Sequence, residues 1–179
     1  TNKRIAAGVL FTKQNDDTPF NISFPTKGYL WTPAFVDIDD DGDQDMFASM
    51  SRGEILFFQN ESTGSEVKFA EAVINPYNLS GYLEASPHSS KGYDDVRIDF
   101  ADLDLDGDQD LFVFGNYSGN GFYYENTGTN KKAEFSDSNV KIQDFGLPTL
   151  SHQHNLSFAD LDLDGDLDAY WSKNVSAYV

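Results

Sequence analysis

The sequence of 179 residues contains no cysteine, so neither disulfides nor thiolate metal ligands can contribute to it. Positive charge is scarce. Twelve Lys and Arg stand against thirty Asp and Glu, a formal net charge of −18, which sets aside nucleic acid and anionic membrane surfaces as partners. No apolar run approaches the ~18 residues of a membrane helix, and the first residues lack signal-peptide form. Gly-x-Ser-x-Gly, a cysteine nucleophile and a phosphate-binding loop are also missing. The expectation is a chain that is not an enzyme and carries no membrane span.

What is present is apolar and aromatic. Hydrophobic residues make up 39% and aromatics 15%, with fifteen Phe and nine Tyr, enough for a packed core despite the charge. The acids are concentrated. "VDIDDDGDQD" (Val36 to Asp45), "ADLDLDGDQD" (Ala101 to Asp110) and "ADLDLDGDLD" (Ala159 to Asp168) hold sixteen of the thirty. The fourteen acids elsewhere nearly balance the twelve Lys and Arg. This is a near-neutral protein carrying three anionic sites.

The three stretches also bring the rest of the chain into register. Each follows Phe-x-Asp, at Phe35, Phe100 and Phe158, and each leads into apolar residues: Met46-Phe47, Leu111-Phe112 and Ala169-Tyr170. "GEILFFQNESTG" from Gly53 matches "GFYYENTG" from Gly121, and "GVLFTKQN" from Gly8 shares its frame. The units are 35–99 and 100–157, with 1–34 as the second half of one unit and 158–179 as the first half of another. "DMFASM", "EILFFQ", "DLFVFG", "GFYYEN" and "DAYWS" read as short strands, and "KFAEAVI" (Lys68 to Ile74) as strand after Phe69. No helical period is sustained. Strands about every ten residues in units of roughly sixty predict an all-β fold, a β-propeller segment of about three four-stranded blades.

In the first acidic stretch the carboxylates of Asp37, Asp39, Asp41 and Asp45 fall at positions 1, 3, 5 and 9. Glycine stands at position 6, and Asp43 at position 7 can offer its carbonyl. The second stretch offers Asp102, Asp104, Asp106, Asp108 and Asp110, and the third Asp160, Asp162, Asp164, Asp166 and Asp168. Such a set suits Ca²⁺, a hard cation taking six to eight oxygens, and fits Mg²⁺ less well. The absence of Cys and His from the loops argues against zinc. An EF-hand is excluded, because its position-12 glutamate would fall on Ala48, Val113 and Trp171. The expected cofactor is about three Ca²⁺, one per loop.

Phe-x-Asp-x-Asp-x-Asp-Gly-Asp-x-Asp, followed by Gly…Tyr-x-Asn-x-Gly…Phe, resembles the FG-GAP/VCBS-type repeats of integrin alpha-chain-like β-propellers. The resemblance implies a ring of usually seven blades in which each loop joins two strands of a blade around structural Ca²⁺. It also implies an adhesion or assembly role at the cell surface, with protein or glycan as partner. The rest of the ring would come from the same polypeptide or from a second copy. A propeller lectin and an accessory domain of a secreted hydrolase are the alternatives.

The segments before each motif Phe differ most between units, which makes Tyr29, Trp31, Tyr93, Arg97, His152 and His154 candidates for a ligand face. Asn-x-Ser sequons at Asn21, Asn60, Asn78, Asn116, Asn155 and Asn174 point to a secreted or cell-surface glycoprotein.

Overall fold

The structure is a computed structural model that describes residues 3–5, 8–10, 22–24, 32–50, 53–63, 67–80, 96–115, 121–143 and 154–173. Among these residues the fold is all-β, with no α-helix and a single 3₁₀ turn at Asp137–Asn139. Twelve strands form four antiparallel sheets. The first pairs β1 (Lys3–Ile5) with β2 (Gly8–Leu10). The second is a meander of β3 (Thr32–Val36), β4 (Asp45–Ser49), β5 (Ile55–Phe58) and β6 (Val73–Ile74). The third repeats that order with β7 (Val96–Ala101), β8 (Asp110–Gly115), β9 (Gly121–Tyr124) and β10 (Val140–Gln143). The fourth pairs β11 (His154–Ala159) with β12 (Asp168–Lys173).

Each acidic stretch connects the first two strands of a sheet, with its last carboxylate opening the second strand. Register is conserved: Val36 lies opposite Asp45, Ala101 opposite Asp110, and Ala159 opposite Asp168. The motif phenylalanines therefore lie inside first strands, one residue before the connection begins.

The middle strands are apolar at nearly every position because both of their faces are covered. In β4, Phe47 joins one core cluster, while Met46 and Ala48 join another on the opposite face. In β8, Leu111 and Val113 face the first cluster, and Phe112 and Phe114 face a third. The first cluster thus fills the space between the β3–β6 and β7–β10 sheets, and the third lies between β7–β10 and β11–β12. The β3–β6, β7–β10 and β11–β12 sheets stack face to face in chain order.

Both joints use the same aromatic pair. The Phe47 ring of one sheet lies 4.7 Å, centroid to centroid, from Phe100 on the first strand of the next. Phe112 lies 4.6 Å from Phe158 in the following joint. Such tilted pairs contribute ~0.5–1.5 kcal/mol each beyond simple burial. Phe100 and Phe158 are therefore packing residues that dock their sheets onto the preceding ones, whereas Phe35 at the same repeat position is exposed.

"KFAEAVI" is strand only at its end. Phe69 forms an isolated bridge to Asn60, and pairing resumes at Val73–Ile74. Phe69 is buried in the second cluster, whereas Val73 and Ile74 are exposed on the outer strand. Burial of Phe69 sets the position of this segment, and pairing with β5 is left to its last two residues.

Candidate metal centres

The acidic connections curl because two residues in each adopt left-handed backbone. Position 4 is Asp40, Leu105 or Leu163, with φ of 54°, 61° and 64°, and position 6 is Gly42, Gly107 or Gly165, with φ of 92°, 101° and 97°. A Cβ on any of these glycines would meet nothing within 4 Å. The requirement is conformational, since φ near +100° is costly for a residue with a Cβ. A leucine held in the left-handed region costs about 1–2 kcal/mol, and that strain sits at the centre of the second and third loops.

The curl turns backbone N–H groups onto the first carboxylate. Gly42, Gly107 and Gly165 donate to Oδ2 of Asp37, Asp102 and Asp160 at 3.0, 3.1 and 3.2 Å. Asp41 and Asp106 donate to Oδ1 of the same Asp37 and Asp102, both at 3.1 Å. In the third loop that oxygen takes the N–H of Leu163 instead, at 2.7 Å. Position 5 in turn accepts from position 7: Asp43 to Asp41, Asp108 to Asp106 and Asp166 to Asp164, at 2.9, 3.1 and 3.1 Å.

Each loop thereby brings three carboxylates together. Oxygens of Asp37, Asp39 and Asp41 lie within 4.8 Å of one another, as do those of Asp102, Asp104 and Asp110, and those of Asp160, Asp162 and Asp168. The first set spans positions 1, 3 and 5; the other two span positions 1, 3 and 9. Asp45, at position 9 of the first loop, is nevertheless almost fully buried beside its set. Asp43, Asp106, Asp108, Asp164 and Asp166 lie outside these closest groups.

Ordinary hydrogen bonding leaves this charge under-compensated. Buried Oδ1 of Asp39, Oδ2 of Asp45 and Oδ1 of Asp108 accept no hydrogen bond, an arrangement that costs free energy unless a cation or proton is supplied. Proton affinity rises accordingly. Burial pushes Asp45 up to about 6, against the lowering effect of the Asn60 N–H. Burial, then repulsion from Asp106 and Asp110, takes Asp108 to about 6. Asp39 and Asp110 are raised by burial first. Asp166 is raised chiefly by Asp164 beside it.

Sequence reasoning missed the residues that brace position 9. Asn60 N–H donates to Asp45 Oδ1 at 2.7 Å, and its side-chain amide donates to the Gln44 carbonyl at 2.9 Å. Asn126 repeats this on Asp110, at 2.8 Å, and on the Gln109 carbonyl. Asn126 Oδ1 also accepts from Gly128 and Glu134, which closes the hairpin after β9. The signal was the asparagine of Tyr-x-Asn-x-Gly, visible as a repeat position but carrying no charge. The first two loops also differ in a side-chain donor at position 9. Tyr123 gives its hydroxyl to Asp110 Oδ2 at 2.9 Å, and its cross-strand counterpart in the first repeat is Phe57, opposite Phe47.

Of the candidate ligand face, Arg97 lies half-buried in β7 opposite Phe114, and His154 opens β11 opposite Lys173. Tyr29, Trp31, Tyr93 and His152 lie outside the described residues. Among the sequons, Asn60 is half-buried with its amide committed to the corner, Asn78 is exposed, and Asn155 lies in β11. Asn21, Asn116 and Asn174 lie outside the described residues.

Residues 102–171, which run from the second acidic loop into β12, match the family model of the FG-GAP-like repeat. Comparisons with curated proteins and with solved structures returned no match.

Proposed function

We propose that this FG-GAP-like repeat protein is a non-enzymatic calcium-binding scaffold, a segment of a β-propeller whose metal ions are structural. The observation that carries the reading is the trio of carboxylate clusters, each beside the start of a second strand, with buried carboxylate oxygens in the first two loops that lack any donor. Asp37, Asp39, Asp41 and Asp45 would hold one ion, Asp102, Asp104, Asp106 and Asp110 a second, and Asp160, Asp162, Asp164 and Asp168 a third. The carbonyls of Asp43, Asp108 and Asp166 would complete the sets. The chemistry supplied is neutralisation, and binding free energy becomes folding free energy because a collapsed cluster of acids is unfavourable without it.

The setting that fits is outside the cell. Extracellular calcium modules bind at ~10⁻⁴–10⁻³ M, and Asn78 offers an exposed sequon. Two four-stranded meanders stacked through their first strands support blades of a propeller, and the loops before β3, β7 and β11 would then form a face for protein or glycan at a cell surface.

Thermal unfolding with and without chelator tests the metal. Calcium is expected to raise the melting temperature strongly and saturably, and magnesium to do so much less. An unchanged midpoint in excess EGTA would sink the proposal.

A further inference from the structure

The first two acidic loops meet the same piece of chain, residues 126–137 between β9 and β10. Its base is Asn126, whose N–H holds Asp110 of the second loop. Its tip reaches the first loop, ninety residues away in sequence, where the Asn130 amide donates to Asp40 Oδ2 at 2.9 Å. Its far end is fixed on the first repeat. There Phe135 packs edge-on against Tyr77, 4.8 Å between centroids, and the Asp137 carboxylate accepts both the N–H and the hydroxyl of Ser80.

The tip is a closed hairpin. The Thr127 N–H donates to the Glu134 carbonyl at 3.0 Å, and Thr129 and Lys132 exchange N–H to carbonyl bonds at 3.0 and 2.9 Å. A Cβ on Gly128 would collide with the Lys132 carbonyl oxygen, so the two arms touch backbone to backbone. Such a hairpin moves as a unit, and Asn126 and Asn130 move together. The latch is particular to the first loop, because position 4 there is Asp40, whereas Leu105 and Leu163 offer no side-chain acceptor. Asp40 stands in left-handed backbone, with φ of 54°, and its carboxylate is in place only while the loop is curled. Both loops also hold a buried acid that calls for a cation. Asp45 is 2% exposed with Oδ2 lacking a donor, and Asp108 is 7% exposed with Oδ1 in the same condition.

We infer that residues 126–137 couple the first two metal sites, so that filling either one favours filling the other. This coupling rests on the calcium reading above and adds regulation to it. Its two states are a hairpin latched on Asp40 and a hairpin released from it. With the first loop empty, repulsion among Asp37, Asp39 and Asp41 opens the curl and withdraws Asp40. Asn130 then loses its anchor, and Asn126 holds Asp110 less firmly. With the first loop filled, the latch is set and Asp110 is in position before the second ion arrives. Linkage requires the effect to be equal in both directions. Leu163 cannot take the latch, which makes the third loop an internal control for charge effects alone.

Hydrogen exchange of the full chain across a calcium titration reads the midpoint of each loop separately. Asp37→Asn, which disables the first site, should move the second loop's midpoint to about fivefold higher calcium, the lower end of ordinary coupling, and the third loop's far less. Asp102→Asn should move the first loop's midpoint by the same factor. Asn130→Ala, at an exposed position outside the ligand sets, should cut the effect of Asp37→Asn on the second loop to about twofold or less. By itself, with every ligand intact, Asn130→Ala should make the first two loops fill less steeply with calcium. Circular dichroism shows which variants remain folded. A second loop indifferent to Asp37→Asn, equal shifts in the second and third loops, or steepness unchanged by Asn130→Ala would each overturn the coupling. If three ions still bind and still raise the melting temperature, the calcium reading survives that result. A chain that binds no calcium would overturn both.

Discussion

At the scale of single residues, the acids at position 9 carry opposing requirements. Asp45 is 2% exposed, and its carboxylate accepts the Asn60 N–H at 2.7 Å. With its proton affinity raised to about 6 from an ordinary 3.8, the folded metal-free protein binds more protons than the unfolded chain. Stability then falls as pH rises from about 4 to about 6, by roughly 3 kcal/mol for a two-unit shift at one buried group. Asp108 acts in the same direction over the same window. The metal-free melting temperature should therefore increase on acidification from pH 7 to pH 5. In saturating calcium the trend should reverse, because protons then compete with the ion for the same oxygens. Melting curves at the two pH values, with and without EGTA, measure both slopes, and parallel slopes would contradict the assignment. Asp45→Asn isolates the cause. It should leave the metal-free midpoint unchanged or higher while shrinking the calcium-induced shift by about a third, one loop of three.

At the scale of the element, each loop and its hairpin form one mechanical unit. The Asn126 backbone N–H donates to Asp110, while its side chain donates to the Gln109 carbonyl and accepts from the Gly128 and Glu134 N–H groups. Asn126→Ala therefore keeps the first bond and leaves three part-buried backbone groups without that partner. Each such loss costs about 1–3 kcal/mol. The variant should lose about that much stability and also bind calcium more weakly, which denaturant titration and calorimetry read separately. Gly107→Ala should cost about 1–3 kcal/mol through backbone strain alone, because φ is 101° and the space is open. The loops were legible because their information is local: a carboxylate every second residue and a glycine at the turn. The apolar runs that became β4, β5, β8, β9 and β12 were legible for the same reason. β10 was not, because "VKIQ" is short and half polar, and its pairing with Tyr124 and Phe122 comes from a strand twenty residues away. Asn60 and Asn126 escaped notice as braces because an uncharged amide acquires that role only once the hairpin folds back onto the loop.

At the scale of the whole molecule, stacking depends on one repeated contact. Phe112 is fully buried and touches Phe114, Tyr123 and Phe158. Phe112→Ala should cost about 3–5 kcal/mol, as large cavities in aromatic cores do, and should loosen β11–β12 from the β7–β10 sheet. Hydrogen exchange would show this as lost protection in β11 and β12 ahead of β3–β5.

The same scale decides what compensates the charge. Repulsion between loops acts over long distances and is screened beyond ~8 Å at physiological ionic strength. Repulsion within a loop acts between oxygens less than 4.8 Å apart, inside the screening length, where simple salt has little effect. If within-loop repulsion dominates, raising sodium chloride should recover only a minor part of the stability lost to EGTA, whereas calcium at far lower concentration should recover all of it. If between-loop repulsion dominated, salt and calcium would be nearly interchangeable, since three divalent ions change the net charge only from −18 to −12. Melting temperatures across a sodium chloride series in EGTA separate the two cases. The clustering of sixteen acids into three loops, rather than the overall charge, predicts the first.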